Sequence, residues 1–266
     1  MNPRPPVLVL HATGTNRDWE AARACDMAGA AAEIVHVNQL IGGERRLPDY
    51  RMLVLPGGFS YGDDLGAGKV WAILLRHRLA EDLASFIGEG RPVLGICNGF
   101  QVLVKAGLLP GIAPADERGQ VPFQATTLTR NDSARFECRW VYLEPQAISP
   151  CIFTRGLSEP IYCPVAHCEG KFVVRDDSAL DQIQAQGLVA LRYAGPAGLP
   201  ATYPWNPNGS VANIAGICNP AGTVFGLMPH PEDHVLPEQH PRYQRGERGG
   251  LGLALFANGV RYAAQL

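Results

Sequence analysis

The stretch Val93-Leu94-Gly95-Ile96-Cys97-Asn98-Gly99-Phe100-Gln101 decides the fold. Val93–Ile96 is a short apolar run of the kind found in a strand covered on both faces. Gly99–Ala106 has the apolar spacing of a helix, ended by Gly107. A cysteine thus stands between strand and helix in the frame Gly-x-Cys-x-Gly, where small neighbours relieve crowding at a sharp turn. The helix N-terminus behind Cys97 favours a thiolate, and the N–H of Asn98 is placed to face an oxyanion. A buried cysteine between apolar strands is commonly just a packing residue. The elbow needs support from elsewhere in the chain.

Working outward, the same strand–helix alternation recurs. Val7–Leu10, Glu33–Val37 and Met52–Leu55 read as strands, and Trp19–Ala28 and Val70–Ile87 as amphipathic helices. That spacing implies βαβ units and an open, mainly parallel sheet with helices on both faces, an α/β fold. Beyond Gln124 the texture changes. Ala125–Thr129, Arg135–Leu143, Ile161–Ala166 and Phe172–Arg175 read as strands between Pro, Gly and Asn turns, a smaller antiparallel portion. Asp177–Gln186 reads as a helix, Leu188–Tyr193, Ile214–Cys218 and Thr223–Met228 as strands, and Leu251–Ala264 as a C-terminal helix. The polar, Pro- and Gly-rich stretch from His234 to Gly250 reads as an exposed loop. With no repeat and no clean linker, residues 1–266 are expected to form a single domain.

Two further strand ends carry chemistry. Gly226-Leu227-Met228-Pro229-His230-Pro231-Glu232 follows a strand, and in extended chain the alternate residues His230 and Glu232 point the same way. His230 is expected to act as base toward Cys97, with Glu232 holding the tautomer of the ring. A lone histidine would carry little weight. The carboxylate two residues on and the preceding strand add it. In Leu55-Pro56-Gly57-Gly58-Phe59-Ser60 a glycine pair ends a strand, and the Gly58 N–H is expected to complete an oxyanion hole with that of Asn98. Gln101, one turn along the helix from Cys97, is expected to help shape the substrate pocket, with Asn131 and Phe136 as weaker candidates. Asp63, Asp64 and the Asn206–Ser210 loop read equally as partner-facing or as solvated turns.

Composition excludes several classes. Lys plus Arg number 23 against 25 Asp plus Glu, a net charge of −2, so no broad basic surface for nucleic acid is expected. Hydrophobic residues make up 46%, which excludes disorder. No apolar run approaches the ~18 residues of a membrane span, and Met1-Asn2-Pro3-Arg4-Pro5-Pro6 has no apolar leader core. The seven cysteines lack a framework spacing, so most are expected to be reduced, buried thiols in a cytoplasmic protein. Asp63–Lys69 resembles a phosphate loop, but Asp63 stands where glycine is needed and Val70 where Ser or Thr is needed. Cys163, His167 and Cys168 hint at metal ligands but have no second pair at zinc-like spacing, so no metal is expected and Cys163 and Cys168 read as buried thiols.

Taken together these residues resemble the class I, triad-type glutamine amidotransferases, most closely the glutaminase components of phosphoribosylformylglycinamidine synthases. The resemblance rests on Phe59–Gly68, on Gly95–Gln101 with Ala106–Gly111, on Arg135–Val141, Ala166–Lys171, Asn206–Ser210 with Ile214–Gly216, and on Met228–Glu232. It runs from about Val7 to Glu232. This chain departs from the pattern in carrying Ala12-Thr13 for a Pro-containing pair, Arg17 for a frequent Cys, Cys168 for the usual Gly and Asp233 for a frequent Arg.

The resemblance implies L-glutamine as substrate and a cysteine thioester as intermediate. It also implies a synthetase subunit as partner in purine biosynthesis, with room for a small accessory subunit, and no nucleic acid or membrane. ATP and Mg²⁺ are expected on that synthetase, with no cofactor in this chain. Two rivals share some of these features: a free-standing γ-glutamyl hydrolase or a glutaminase serving another synthetase, and a non-catalytic scaffold that kept the fold. The intact Cys97, His230 and Glu232 weigh against the scaffold.

Overall fold

The structure, a computed structural model, describes residues 4–112, 124–196, 199 and 201–266. Met1, Asn2 and Pro3, part of the stretch read above for a leader, lie outside them. The chain builds β1 (Pro6–His11), α1 (Asp18–Met27), β2 (Ala31–His36), α2 (Val37–Ile41), β3 (Met52–Leu55), α3 (Lys69–Arg78), α4 (Ala80–Gly88), β4 (Val93–Ile96) and α5 (Asn98–Lys105). Then follow β5 (Thr126–Thr129), β6 (Glu137–Pro145), β7 (Ile161–His167), β8 (Lys171–Val174), α6 (Asp177–Ala185), β9 (Val189–Ala194), β10 (Ile214–Cys218), β11 (Val224–Leu227) and α7 (Leu253–Ala263).

One sheet runs in the order β2-β1-β3-β4-β11-β10-β9-β6-β7, and β5 and β8 pair separately. The first five strands in that order are parallel, and β1, β3, β4 and β11 are buried on both faces as their apolar runs imply, while the edge strand β2 stays partly exposed. The antiparallel strands continue the same sheet from β11 outward, through β10, β9, β6 and β7. Helices cover both faces. A Cβ on Gly99 of α5 would strike Leu55 of β3, whereas Met52, three residues earlier, touches Gly259 of α7. Odd and even strand residues point to opposite faces, so α5 and α7 lie on opposite sides. No helix among the described residues is long and apolar enough to cross a membrane.

Close approach of α5 to the sheet depends on glycine. A Cβ on Gly226 would lie 2.1 Å from Cδ2 of Phe100, and one on Gly95 would lie 2.5 Å from Cδ1 of Leu103. Phe100 in turn stacks on Phe172, with ring centroids 6.3 Å apart, and so ties α5 to the small β5–β8 pair. Both rings are buried, each contributing about 2–3 kcal/mol by its removal from water.

Three expectations need correction. The helix read over Val70–Ile87 is two helices, α3 and α4, which meet at Leu79 with φ −131° and ψ 15°. In one continuous helix, apolar residues four apart drift around the axis by about 40° per step. The turn at Leu79 resets that drift and lets Trp71, Leu75, Leu79, Leu83 and Phe86 all reach the core. The stretch from His234 to Gly250 is not simply exposed, because His234 and His240 are buried against Trp140 and Tyr162 of β6 and β7. Their rings lie against the aromatic faces while Nδ1 of each finds a backbone partner, Tyr162 O for His234 and Arg242 N–H for His240, a placement that a polarity reading misses. Cys168 is exposed rather than buried, because β7 ends at His167 and the chain turns outward there.

Candidate active site

The C-terminal ends of β3, β4 and β11 converge. Leu227 of β11 pairs with Ile96 of β4 and Gly95 of β4 pairs with Leu55 of β3, so Cys97, Met228 and Pro56 leave the sheet side by side. Ligands in open α/β sheets bind at this edge, near the point where strand order reverses. Here it lies beside β1, from which the chain runs outward to β2 and then back to β3 and β4.

Cys97 holds φ +50° and ψ −105°, in the left-handed half of backbone space that a side chain rarely adopts. Two hydrogen bonds maintain it: Cys97 N–H donates to Leu227 O at 2.8 Å, and Gln101 N–H donates to Cys97 O at 3.1 Å. The residue is 5% exposed. Its Sγ lies 3.8 Å from Ala166 O, at the end of β7. The strain holds the thiol above the N-terminus of α5, whose first N–H, that of Asn98, has no acceptor within the helix.

His230 is reached through β11 and held by its own N–H, which donates to Pro164 O at 2.8 Å. Its Nδ1 donates to Glu232 Oε1 at 2.7 Å, and both side chains are buried. Nε2 is buried without a hydrogen-bond partner. Burial disfavours the charged ring, but the Glu232 carboxylate and then Cys97 outweigh it and hold His230 well above the usual imidazole range. A hydrogen-bonded carboxylate fixes the tautomer, leaving Nε2 on the Cys97 side for proton transfer.

Gly58 lies in a one-pair antiparallel bridge with Thr15. Phe59 N–H donates to Gly14 O and Asn16 N–H to Gly57 O, so Gly58 occupies the non-hydrogen-bonded position and its own N–H points away from the partner. Its φ of +152° and the 2.7 Å from its missing Cβ to Thr15 Cα demand glycine. Gly57 is equally constrained, because a Cβ there would lie 2.6 Å from His230 Cε1.

The side chains of Asn98 and Gln101 form the frame around the site. Asn98 Oδ1 accepts from Ser60 N–H at 3.2 Å, while its Nδ2 donates to Asp63 Oδ1 at 3.3 Å and to Gln101 Oε1 at 3.0 Å. Gln101 Nε2 donates to Glu169 O at 2.6 Å, and Ala67 N–H donates to Glu169 Oε2 at 3.2 Å. The loop after Gly58, α5 and the turn after β7 are therefore joined through buried amides, with Gln101 bonded at both ends. Asp63 faces inward to this network. Asn206, Asn208 and Ser210 are buried too, with Asn208 Nδ2 donating to Gly170 O, so the Asn206–Ser210 loop is neither a solvated turn nor a free surface. Asn131 pins the same turn, donating to His167 O at 2.8 Å and accepting from Gly170 N–H at 3.0 Å. Phe136 is exposed and stacks on Phe59 beside the glycine pair.

Sequence reasoning gave Glu169 no role of its own, read Asp63 as a partner-facing or solvated residue, noted Arg17 only as a departure from the family pattern and His167 only as a hint of metal, and assigned no function to Gly57 within its pair. Arg17 and Asp233, two of the positions that depart from the family pattern, face each other, with Nε and Oδ2 3.7 Å apart. His167 is buried with neither ring nitrogen hydrogen-bonded to a partner, and a Cβ on Gly170 would collide with its ring. Burial, and then the charge of His230, push His167 down to about 3 from an ordinary value of 6.5. A histidine that is neutral when folded but charged when unfolded contributes stability that is complete above 6.5 and is lost as pH falls from there toward about 3. The expected loss from this residue is up to about 1.4 kcal/mol per pH unit. Urea midpoints of wild type and His167→Asn between pH 7 and pH 4 read it: the wild type should fall more steeply, and equal slopes would reject a neutral buried ring.

Cys163 and Cys168 do not join a cluster of ligands. Among the described residues the one group of three close His, Cys, Asp or Glu side chains is His230, Glu232 and Asp233, where the Arg17 guanidinium already supplies a cation.

The profile of the CobB/CobQ-like glutamine amidotransferase domain matches residues 4–263. A phosphoribosylformylglycinamidine synthase subunit PurQ from Treponema denticola is 49% identical over 269 residues, covering 97% of this chain and 99% of the relative. The PurQ subunit of Dehalococcoides mccartyi is 42% identical over 262 residues, covering 97% and 98%. A chain in the structure of PurLQS from Thermotoga maritima superposes with a TM-score of 0.72 at 32% identity, covering 98% of this chain and 99% of that one.

Proposed function

Because the chain belongs to the CobB/CobQ-like glutamine amidotransferase family, we propose that Cys97, His230 and Glu232 are the triad with which it hydrolyses glutamine. The ammonia goes to the synthetase subunit of a phosphoribosylformylglycinamidine synthase, of which this chain is the glutaminase subunit. The observation that carries the triad is the buried His230–Glu232 pair at 2.7 Å, with Nε2 unbonded and Cys97 strained at the end of the neighbouring strand.

The steps follow from that geometry. Cys97 gives its thiol proton to His230 Nε2 as Sγ attacks the side-chain amide carbon of glutamine, and the carbonyl oxygen becomes an oxyanion facing the N–H groups of Gly58 and Asn98. His230 gives its Nε2 proton to the departing nitrogen, so ammonia leaves and a γ-glutamyl thioester remains on Cys97. The same nitrogen then takes a proton from water, which attacks the thioester, and returns it to Cys97 Sγ as glutamate is released, restoring the free thiol. Glu232 keeps Nδ1 protonated throughout and balances the imidazolium. Gln101 and Asn98 hold the pocket walls in register. Asn131 acts on the turn at His167, and Phe136 lies on the rim. Ammonia must be passed on while unprotonated, so delivery into the partner is part of the chemistry. ATP and Mg²⁺ belong to the synthetase step, and the complex works in the cytoplasm.

Alkylation with a glutamine-analogue diazo-ketone followed by peptide mapping tests this. One adduct per chain is expected on the buried Cys97, blocked by excess glutamine and faster with the synthetase present, although Cys138 and Cys168 are the exposed thiols. Labelling confined to Cys138 and Cys168, or no labelling with either preparation, rejects the triad.

A further inference from the structure

Arg17 meets the site at two points, the glycine pair and Asp233. Its N–H donates to Gly57 O at 3.2 Å, just before the Gly58 oxyanion donor. Its Cγ lies 3.5 Å from where a Cβ on Gly57 would sit, the same point that is 2.6 Å from His230 Cε1. Its guanidinium reaches Asp233, with Nε and Oδ2 3.7 Å apart, while NH1 bonds Glu20 at 3.1 Å. Asp233 in turn is packed among titratable groups: one nitrogen or oxygen of His230, Glu232 and Asp233 each lie within 4.8 Å of one another.

Two carboxylates this close share protons unless a cation separates them. A protonated Asp233 would be a hydrogen-bond donor beside Glu232, whose Oε2 has no other partner, and a proton donated there would draw the carboxylate's charge away from His230 Nδ1 on Oε1. An ionised Asp233 can only accept, and it adds to the negative field that stabilises the imidazolium. We propose that Arg17 is a positioning residue for the triad, which clamps Asp233 as an ionised carboxylate and so leaves Glu232 with His230 as its proton donor. The inference rests on the triad reading above.

The groups facing Asp233 set the direction of its titration. Burial and the Glu232 charge push the Asp233 carboxyl up to about 6, against the pull of His230 and Arg17, while Glu20 of α1 adds to the rise. Cys163 of β7 also lies within the field of both carboxylates. Asp233 is charged above its own titration point. Removing the Arg17 cation moves that point to higher pH, and the site then contains a neutral Asp233 at pH values where the intact site holds it charged.

The test is the rate of diazo-ketone labelling at Cys97 across pH 5 to 9, with the synthetase present. In Arg17→Ala the acid-side inflection should rise by roughly one pH unit, slowing labelling several-fold near pH 6.5 and by less than about two-fold near pH 8.5. Arg17→Lys, which keeps the charge, should restore most of the loss, and Asp233→Asn should abolish the shift when combined with Arg17→Ala. Slowing by one factor at every pH, or a shift that persists in the Asp233→Asn background, overturns the inference and leaves Arg17 as a loop anchor. Failure of wild type to label at Cys97 at any pH would instead remove the triad reading beneath it.

Discussion

Replacing Cys97 with alanine is expected to lower glutamine-dependent turnover of the assembled synthase by about 10⁴-fold or more, the scale on which loss of a triad nucleophile acts. Turnover of the same complex with saturating ammonia should stay within about two-fold of wild type, because ammonia bypasses the step proposed for Cys97. The substitution is a clean probe for structural reasons. Cys97 is 5% exposed and alanine fits its space, so no new contact forms. Alanine also keeps a Cβ at φ +50°, so the elbow gains no relief of strain that would shift α5. The two backbone bonds that hold the turn, to Leu227 O and from Gln101 N–H, do not involve the side chain. Full glutamine-dependent activity in this variant would reject the nucleophile, and loss of the ammonia reaction as well would point to a role in assembly.

Gly99→Ala should have the largest effect on stability. A Cβ there would lie 1.9 Å from Leu55 O, 2.6 Å from Leu55 C and 2.8 Å from Leu55 Cβ. The first two are backbone atoms at the centre of the parallel sheet, so no side chain can swing aside. Either α5 lifts from β3 and β4, opening the core around Phe100 and Leu103, or β3 shifts and moves Gly57 and Gly58 out of place. A cost above about 4 kcal/mol is expected, seen as a melting temperature lower by about 10 °C or more, or as failure to accumulate folded chain. Gly88→Ala in α4 is the control, because nothing lies within 4 Å of its missing Cβ and its φ is not positive. It should be neutral or stabilising by up to about 1 kcal/mol. Equal stability of the two variants would show that α5 does not need glycine at its close approach to the sheet.

Elements whose signal is local were legible from residue types alone. Met52–Leu55, Val93–Ile96 and Ile214–Cys218 are strands with the very bounds their apolar runs suggest, and the helix after Asn98 starts within one residue of the expected position. The break at Leu79 was not legible, because it answers to the direction in which the core lies rather than to any Gly or Pro in the stretch. The burial of His234 and His240 was hidden for a similar reason. Their partners, Trp140 and Tyr162, are some seventy to a hundred residues away in the chain, and composition over a short window reads imidazole as polar.

The candidate site divides along the same line. Cys97, His230, Glu232 and Gly58 announce themselves because each needs a particular residue type at a strand end, and that requirement is written in its immediate neighbours. Asp63, Glu169 and Arg17 look like ordinary surface charges until the loops fold over one another. Asp63 then proves to accept from Asn98, Glu169 from Gln101 and Ala67, and Arg17 to meet Asp233. What this sequence determined by itself is the alternation of strand and helix, the glycines at the turns and the residue types able to do the chemistry, because these follow from backbone sterics and side-chain functional groups over a few residues. Only the tertiary structure decided which cation answers Asp233, which side chains Asp63 and Glu169 meet and which amides lock the loop after Gly58 beside Cys97. Those are questions of a few ångströms between residues far apart in the chain, and electrostatic and hydrogen-bond energies depend on that distance and on burial, neither of which a linear order contains.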